Sequence, residues 1–265
     1  MIDRDLLRRK FARIGARLKV VETDATRGLP FTVDVARDRR GEVFELRVHP
    51  DQGAGLELVV QDLRPSDRHL LLMGRNPSER SGVWERMLCG HDERHWFVAG
   101  VEGASSVDAA KEALKPEIVI EAQARAGLKG RRRHRRRNPA FIRQGEWFFL
   151  PAPHLAPPPE LILRHEPIRR GRGTPHMVEE LYREGGESVW VSQRHPDGIS
   201  PSQRTALLAR DPGARQLRWR VMHRVAQAYG RGRVTHRDHA TVVLPFWHRI
   251  VLSAEGATGV VTFLD

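Results

Sequence analysis

Residues 31–48 read Phe-Thr-Val-Asp-Val-Ala-Arg-Asp-Arg-Arg-Gly-Glu-Val-Phe-Glu-Leu-Arg-Val. Apolar side chains recur with a period of two on both sides of the turn-forming Asp38-Arg-Arg-Gly41, which places them on one face of a pleated strand. The stretch predicts a β-hairpin. Outward from it, Leu56–Val60 and His69–Met73 read as strands separated by Pro65. Val83–Cys89 and His95–Val101 flank the polar tip at residues 90–94 and predict a second hairpin.

Further strands are expected at residues 146–150, 161–163, 187–191, 241–244, 249–253 and 259–264. Helices are fewer. Asp3 suits an N-cap for residues 3–19, where Leu6, Leu7, Phe11, Ile14 and Leu18 fall on one stripe. Ser106 caps residues 107–114, Pro116 suits the first turn of a helix through Ala126, and Ser200-Pro201 opens one through Arg210. Leu217, Trp219 and Val221 alternate, although residues 219–228 also fit a helix.

No strand–helix–strand rhythm runs through the chain, so the class is α+β: mostly antiparallel sheets with four or five short helices, among them an amphipathic N-terminal one. The reading places an N-terminal α+β domain at 1–130 and a β-rich C-terminal domain at 138–265. A basic loop at 128–138 joins them.

At 265 residues the chain can bury one large core or two ordinary ones. With 40% hydrophobic and 29% charged residues it is neither disordered nor lipid-embedded in composition. A single cysteine, Cys89, excludes an internal disulfide, and no apolar run reaches the roughly 18 residues of a membrane span. Asp3 and Asp5 break the apolar core that a signal peptide needs. Cytoplasmic residence is expected.

Net charge is +12, carried almost wholly by arginine, since lysine occurs only at Lys10, Lys19, Lys111, Lys115 and Lys129. Arg131, Arg132, Arg133, His134, Arg135, Arg136 and Arg137 are contiguous, with no acid beside them. Guanidinium forks match phosphate and carboxylate oxygens bidentately, so a polyanion is the first partner to consider. Arg143, Arg169, Arg170 and Arg172 extend the basic set, and Arg218, Arg220 and Arg224 form another. Phe141, Trp147 and Phe148 are the aromatic side chains near the run that would stack on bases if they were exposed.

Histidine is the other chemistry-bearing residue. His236-Arg-Asp-His239 precedes a strand, and His248 follows in Trp247-His248-Arg249. Neutral imidazole is the usual protein ligand of zinc, and Asp238 could orient a ring from behind. His176 lies one helical turn from Glu179 and Glu180. Arg170-Gly-Arg-Gly173 before His176 is echoed by Tyr229-Gly-Arg-Gly232 before His236, an echo that abundant glycine and arginine explain. His91-Asp92-Glu93-Arg94-His95 departs from the zinc-protease pattern: it sits at a hairpin tip and has Asp92 in place of glutamate.

The residues from Gly145 to His154 resemble one cupin motif, and those from Gly230 to His239 resemble the other. They come in reversed order, with the paired histidines one residue too far apart, and the family is not assigned. Neither a Gly-x-Ser-x-Gly elbow nor a Walker loop occurs.

The expectation is a protein that binds nucleic acid, RNA or single-stranded DNA, through phosphate contacts. One alternative is a metal-dependent hydrolase, such as a nuclease, holding zinc or another divalent ion on His236, His239 and His248 with His176. A further alternative is a non-catalytic subunit whose arginines dock an acidic protein or a nucleoprotein assembly.

Overall fold

The computed structural model describes residues 3–26, 29–51, 55–77, 84–170, 173–224 and 226–254. The strand expected at 259–264 and the side chain of Arg172 lie outside them, as does the side chain of Arg224. The chain divides into two compact units, Met1–Pro116 and Glu117–Asp265. The arginine run belongs to the second. Among the described residues no helix is long and apolar enough to cross a membrane.

The first unit comprises α1 (Arg4–Arg13), β1 (Leu18–Glu22), β2 (Phe31–Asp38), β3 (Gly41–Val48), β4 (Glu57–Arg64), β5 (His69–Arg75), β6 (Glu85–Asp92), β7 (His95–Gly100) and α2 (Val107–Ala113). The hairpin that decided the fold class forms β2 and β3, paired from Phe31 with Val48 to Asp38 with Gly41. β4 to β7 make a four-stranded antiparallel meander. Phe31, Phe44, Leu46 and Val48 pack with Leu70, Leu72 and Cys89, and Leu7 and Phe11 of α1 complete this core. Burial raises the Cys89 thiol far above its ordinary range, as befits a small core residue.

The N-terminal helix is shorter than its sequence suggests. Asp3 caps it by accepting from the Leu6 amide, but it ends at Arg13, and Gly15 turns the chain at φ +79°. Leu7 and Phe11 are buried, whereas Leu6 is 43% exposed and Leu18 opens β1, so the expected five-residue stripe does not form one helix face. β1 instead runs parallel to β3, with Leu18 opposite Phe44.

The second unit comprises α3 (Glu117–Arg125), β8 (Arg137–Asn138), β9 (Phe141–Gln144), β10 (Trp147–Pro151), β11 (Leu163–Ile168), β12 (His176–Glu184), β13 (Glu187–Ser192), β14 (His195–Ile199), α4 (Pro201–Arg210), β15 (Arg220–Arg224), β16 (Gln227–Thr235) and β17 (Val242–Leu252). Seven strands form one antiparallel sheet in the order β11-β12-β16-β17-β10-β9-β8, and β14-β13-β15 form a small second one. On the large sheet, Ile142, Trp147, Phe149, Val178, Val234, Leu244 and Ile250 share a core. Ser200 and Gln203 close a capping box at α4, as Ser200-Pro201 suggested. Arg204 of α4 lies over the rings of Trp190 (4.0 Å) and Trp219 (5.4 Å), which docks the helix on the small sheet.

The two closing strands expected at 241–244 and 249–253 are one strand, β17. Between the pairs Gly230–His248 and Gly232–Leu244, β17 advances four residues while β16 advances two. Pro245 falls within this bulge, where a missing amide costs no ladder bond.

Candidate functional site

β12 and β16 are antiparallel, with Met177 opposite Thr235, so the first residue of β12 meets the residue just after β16. Those residues are His176 and His236. Their rings stack with centroids 4.1 Å apart. The turn after His236 brings His239 back, its centroid 4.7 Å from His236 and 5.4 Å from His176. One ring nitrogen from each of the three lies within 4.8 Å of the other two. His248 is not with them. It is buried on β17, where its Nδ1 lies 2.7 Å from the Phe246 carbonyl and its ring stacks on Phe246.

The two-residue loop Gly145–Glu146 between β9 and β10 supplies the rest of the site. Gly145 has φ +56°, as the first position of a type II′ hairpin turn requires. Gln144, fully buried, donates from Nε2 to the carbonyls of Val234 (3.1 Å) and Ala240 (2.7 Å). Both amide hydrogens are thereby committed, so Oε1 must accept, and the His176 Nδ1–H donates to it at 2.9 Å. The carboxamide thus fixes the tautomer of a buried imidazole and leaves its Nε2 as the lone-pair atom.

That Nε2 faces Glu146, whose Oε2 is 3.7 Å away. Burial pushes the Glu146 carboxyl up, but a doubly protonated His176 donating from Nε2, the Glu146 amide and the His176 and His239 charges together hold it below its usual range. A lone pair opposed to a carboxylate is electrostatically unfavourable unless a cation, a second ring proton or a metal ion, stands between them. At His236, burial and the neighbouring His176 hold the imidazole below its ordinary range. Its Nδ1 accepts from the Asp238 amide (3.1 Å) and its Nε2 faces the Thr174 carbonyl (3.3 Å). His236 would exchange one of these contacts to ligate an ion, whereas His176 would not.

Glu179 and Glu180 are not part of the cluster. Residues 176–184 form a strand with a bulge between Val178 and Glu180, Glu179 accepts from the Arg233 amide (2.7 Å), and Glu180 pairs with Arg164 and Arg231. His91 and His95 sit on the β6–β7 hairpin, with His95 against Glu42, so the protease-like pentapeptide has no helical face.

The arginine run is built on fixed backbone. Residues Gly130–His134 form a 3-10 turn, anchored where Gln123 of α3 donates to the Arg133 carbonyl (2.6 Å). Asn138 donates to the Arg135 carbonyl and accepts from the Ala140 and Phe141 amides. Arg131, Arg132, Arg135 and Arg137 are exposed, and among the described residues no carboxylate pairs with them. Arg137 donates to the Val243 carbonyl (3.1 Å). Burial, then the Arg143 charge, lowers Arg136 to about 10. Arg143 donates to the Gly145 carbonyl (2.8 Å) and lies over the Phe148 ring, and Arg169 is exposed while Arg170 is half-buried.

Phe141, Trp147 and Phe148 are all core residues, no more than 2% exposed, so none of them is a stacking surface. β9 links the two features: the Arg143 amide donates to the Arg136 carbonyl, and the next residue, Gln144, holds His176. Sequence reasoning passed over Gln144 and Glu146. Their only sequence mark is the glycine between them, at the tip of a two-residue hairpin. Comparison with protein-family models, curated proteins and solved structures finds no match for this chain.

Proposed function

We propose that this chain is a metal-dependent hydrolase of nucleic acid, with the metal on His176, His236 and His239 and the substrate phosphates on the arginine run. The carrying observation is the buried His176 ring, whose tautomer Gln144 fixes so that Nε2 opposes the Glu146 carboxylate at 3.7 Å. Two further imidazoles within ligand distance favour a metal ion over a second proton, because neutral rings compete for an ion as ligands but repel one another when charged. Zinc or another imidazole-seeking divalent ion suits the set.

Such an ion, when bound, supplies a Lewis acid and a water of lowered pKa. Glu146, 3.7 Å from the His176 Nε2, would be the carboxylate placed to accept the proton of a water activated there. Arg131, Arg132, Arg135 and Arg137 bind phosphate without first giving up an internal carboxylate, which supports a phosphodiester polyanion as substrate. That observation alone also suits a binding protein with no chemistry, and the test separates the two.

Protein purified without an affinity tag should carry stoichiometric metal by elemental analysis, and His176→Ala and His239→Ala should lose it. Single-stranded RNA or DNA should be cleaved by the wild type. Glu146→Gln should keep the metal and lose cleavage by about 10²-fold or more. Absence of stoichiometric metal, even after reconstitution with zinc or manganese, overturns the hydrolase and leaves the binding role.

A further inference from the structure

Exposed aromatic surface near the arginine run comes from a residue the sequence did not single out. β17 pairs with β10 from His248 onward and the Ala152 amide still donates to the Trp247 carbonyl, so the edge without a β-strand beside it among the described residues is that of residues 242–246. Along that edge and the loop before it, contacts follow at intervals of about three residues. Gln144 reaches the Ala240 carbonyl beside the histidine cluster, Arg137 reaches the Val243 carbonyl, and Phe246 comes next.

The bulge at Pro245 turns Phe246 outward, leaving it 37% exposed in a protein whose other nearby aromatics are core. One face of its ring is backed by His248, with centroids 4.6 Å apart and planes 14° from parallel. Arg137 is close enough for its charge to act on His248, although burial is the larger effect there. A half-open aromatic ring therefore lies on the same strand, three residues beyond the carbonyl that Arg137 contacts, and Arg137 has no carboxylate partner among the described residues.

We infer that Phe246 is a stacking platform for a base of single-stranded nucleic acid, whose backbone runs over Arg137 along the free edge of β17 toward His239. The inference rests on the polyanion reading above and narrows it to unpaired bases. Stacking on an aromatic face needs a base released from its partner, and it tolerates any sequence because every base has a π-face. At roughly 3.3 Å per extended residue Val243 and Phe246 are at most about 10 Å apart, and the bulge shortens that, so a base on Phe246 and a phosphate on Arg137 fall within one short stretch of strand.

The test compares two probes in a Glu146→Gln background, so that nothing is cleaved: a short thymidine homopolymer and base-free inorganic polyphosphate. Phe246→Ala should weaken homopolymer binding about ten-fold or more, leave polyphosphate binding and metal content unchanged, and be rescued by Phe246→Tyr. Arg137→Gln should weaken both probes. Equal losses on the two probes with Phe246→Ala, or no loss on either, overturns the platform. Wild-type protein that binds polyphosphate but discriminates against bases also overturns it, with the polyanion reading intact. Protein that binds neither probe brings down that reading and the platform together.

Discussion

A β-carbon on Gly145 would stand 2.7 Å from Nε2 of His239, closer than side-chain carbons approach other atoms. The glycine is also at φ +56° in the first position of a type II′ turn, where an L-residue is strained by on the order of 1–3 kcal/mol. Gly145→Ala should therefore lower stability by roughly that amount and also push His239 out of the cluster, reducing metal uptake. Gly41→Ala provides the contrast: φ is +103° there, but nothing lies within 4 Å, so denaturant unfolding should shift while metal content does not. Equal metal content in both variants would disconnect Gly145 from the site.

Gln144 acts through His176 and touches no ion itself. Gln144→Leu removes the acceptor that fixes the Nδ1–H tautomer and the amide donor to the Val234 and Ala240 carbonyls. Loss of such an outer partner typically costs 10–100-fold in metal affinity. Zinc titration of Gln144→Leu should show a loss in that range, and Gln144→Glu should keep more affinity because a carboxylate still accepts from Nδ1. A structural role alone would weaken the two variants alike.

These two residues mark the limit of what the sequence conveys. Strict alternation made the β2–β3 hairpin legible, and Ser106 and Ser200-Pro201 marked two helix starts whose caps form as read. α1 was read too long because the sequence does not reveal that Leu18 is drawn into a parallel pair with β3, a contact made by residues far along the chain. β16 was missed because Tyr229-Gly-Arg-Gly-Arg looks like a loop, yet its glycines serve a bulged strand, where a β-carbon on Gly232 would meet Glu179 at 2.6 Å.

The histidines show the same limit. His248 is nine positions from His239 and looks like a neighbour, but one continuous strand carries it to Phe246. His176 is sixty positions from His236 and is its stacking partner, because antiparallel pairing reverses sequence distance.

In the first unit, Asp38 accepts from both Arg17 Nη atoms at 2.7 Å and from the Arg40 amide at 2.7 Å. The Arg17 hydrogen bonds, then the Arg40 amide, hold its carboxyl down to about 2. Because the folded value is depressed, the stabilisation is fully present above the ordinary aspartate range and is lost as pH falls through about 2. Asp38→Asn should melt lower than wild type near neutral pH, and the two melting temperatures should converge as pH approaches about 2. A gap that stays constant across that window would mean the pair carries no net stabilisation.

The arginine run makes a quantitative prediction about salt. Each phosphate contact on a single strand contributes about −0.7 to the slope of log affinity against log salt. Arg131, Arg132, Arg135 and Arg137 are exposed and have no carboxylate partner among the described residues, so replacing all four with glutamine should flatten the slope by roughly 3. Lowering net charge elsewhere separates position from composition. Arg9, Arg13, Arg39 and Arg40 are also exposed, yet they lie in the first unit on α1 and the β2–β3 turn. If this second quadruple variant flattens the slope as much as the first, the protein attracts nucleic acid by total charge alone. If only the first does so, phosphates lie along the 3-10 turn and the segment leading into β9, which the Arg143 amide ties down at the Arg136 carbonyl, one residue before the carboxamide that orients His176.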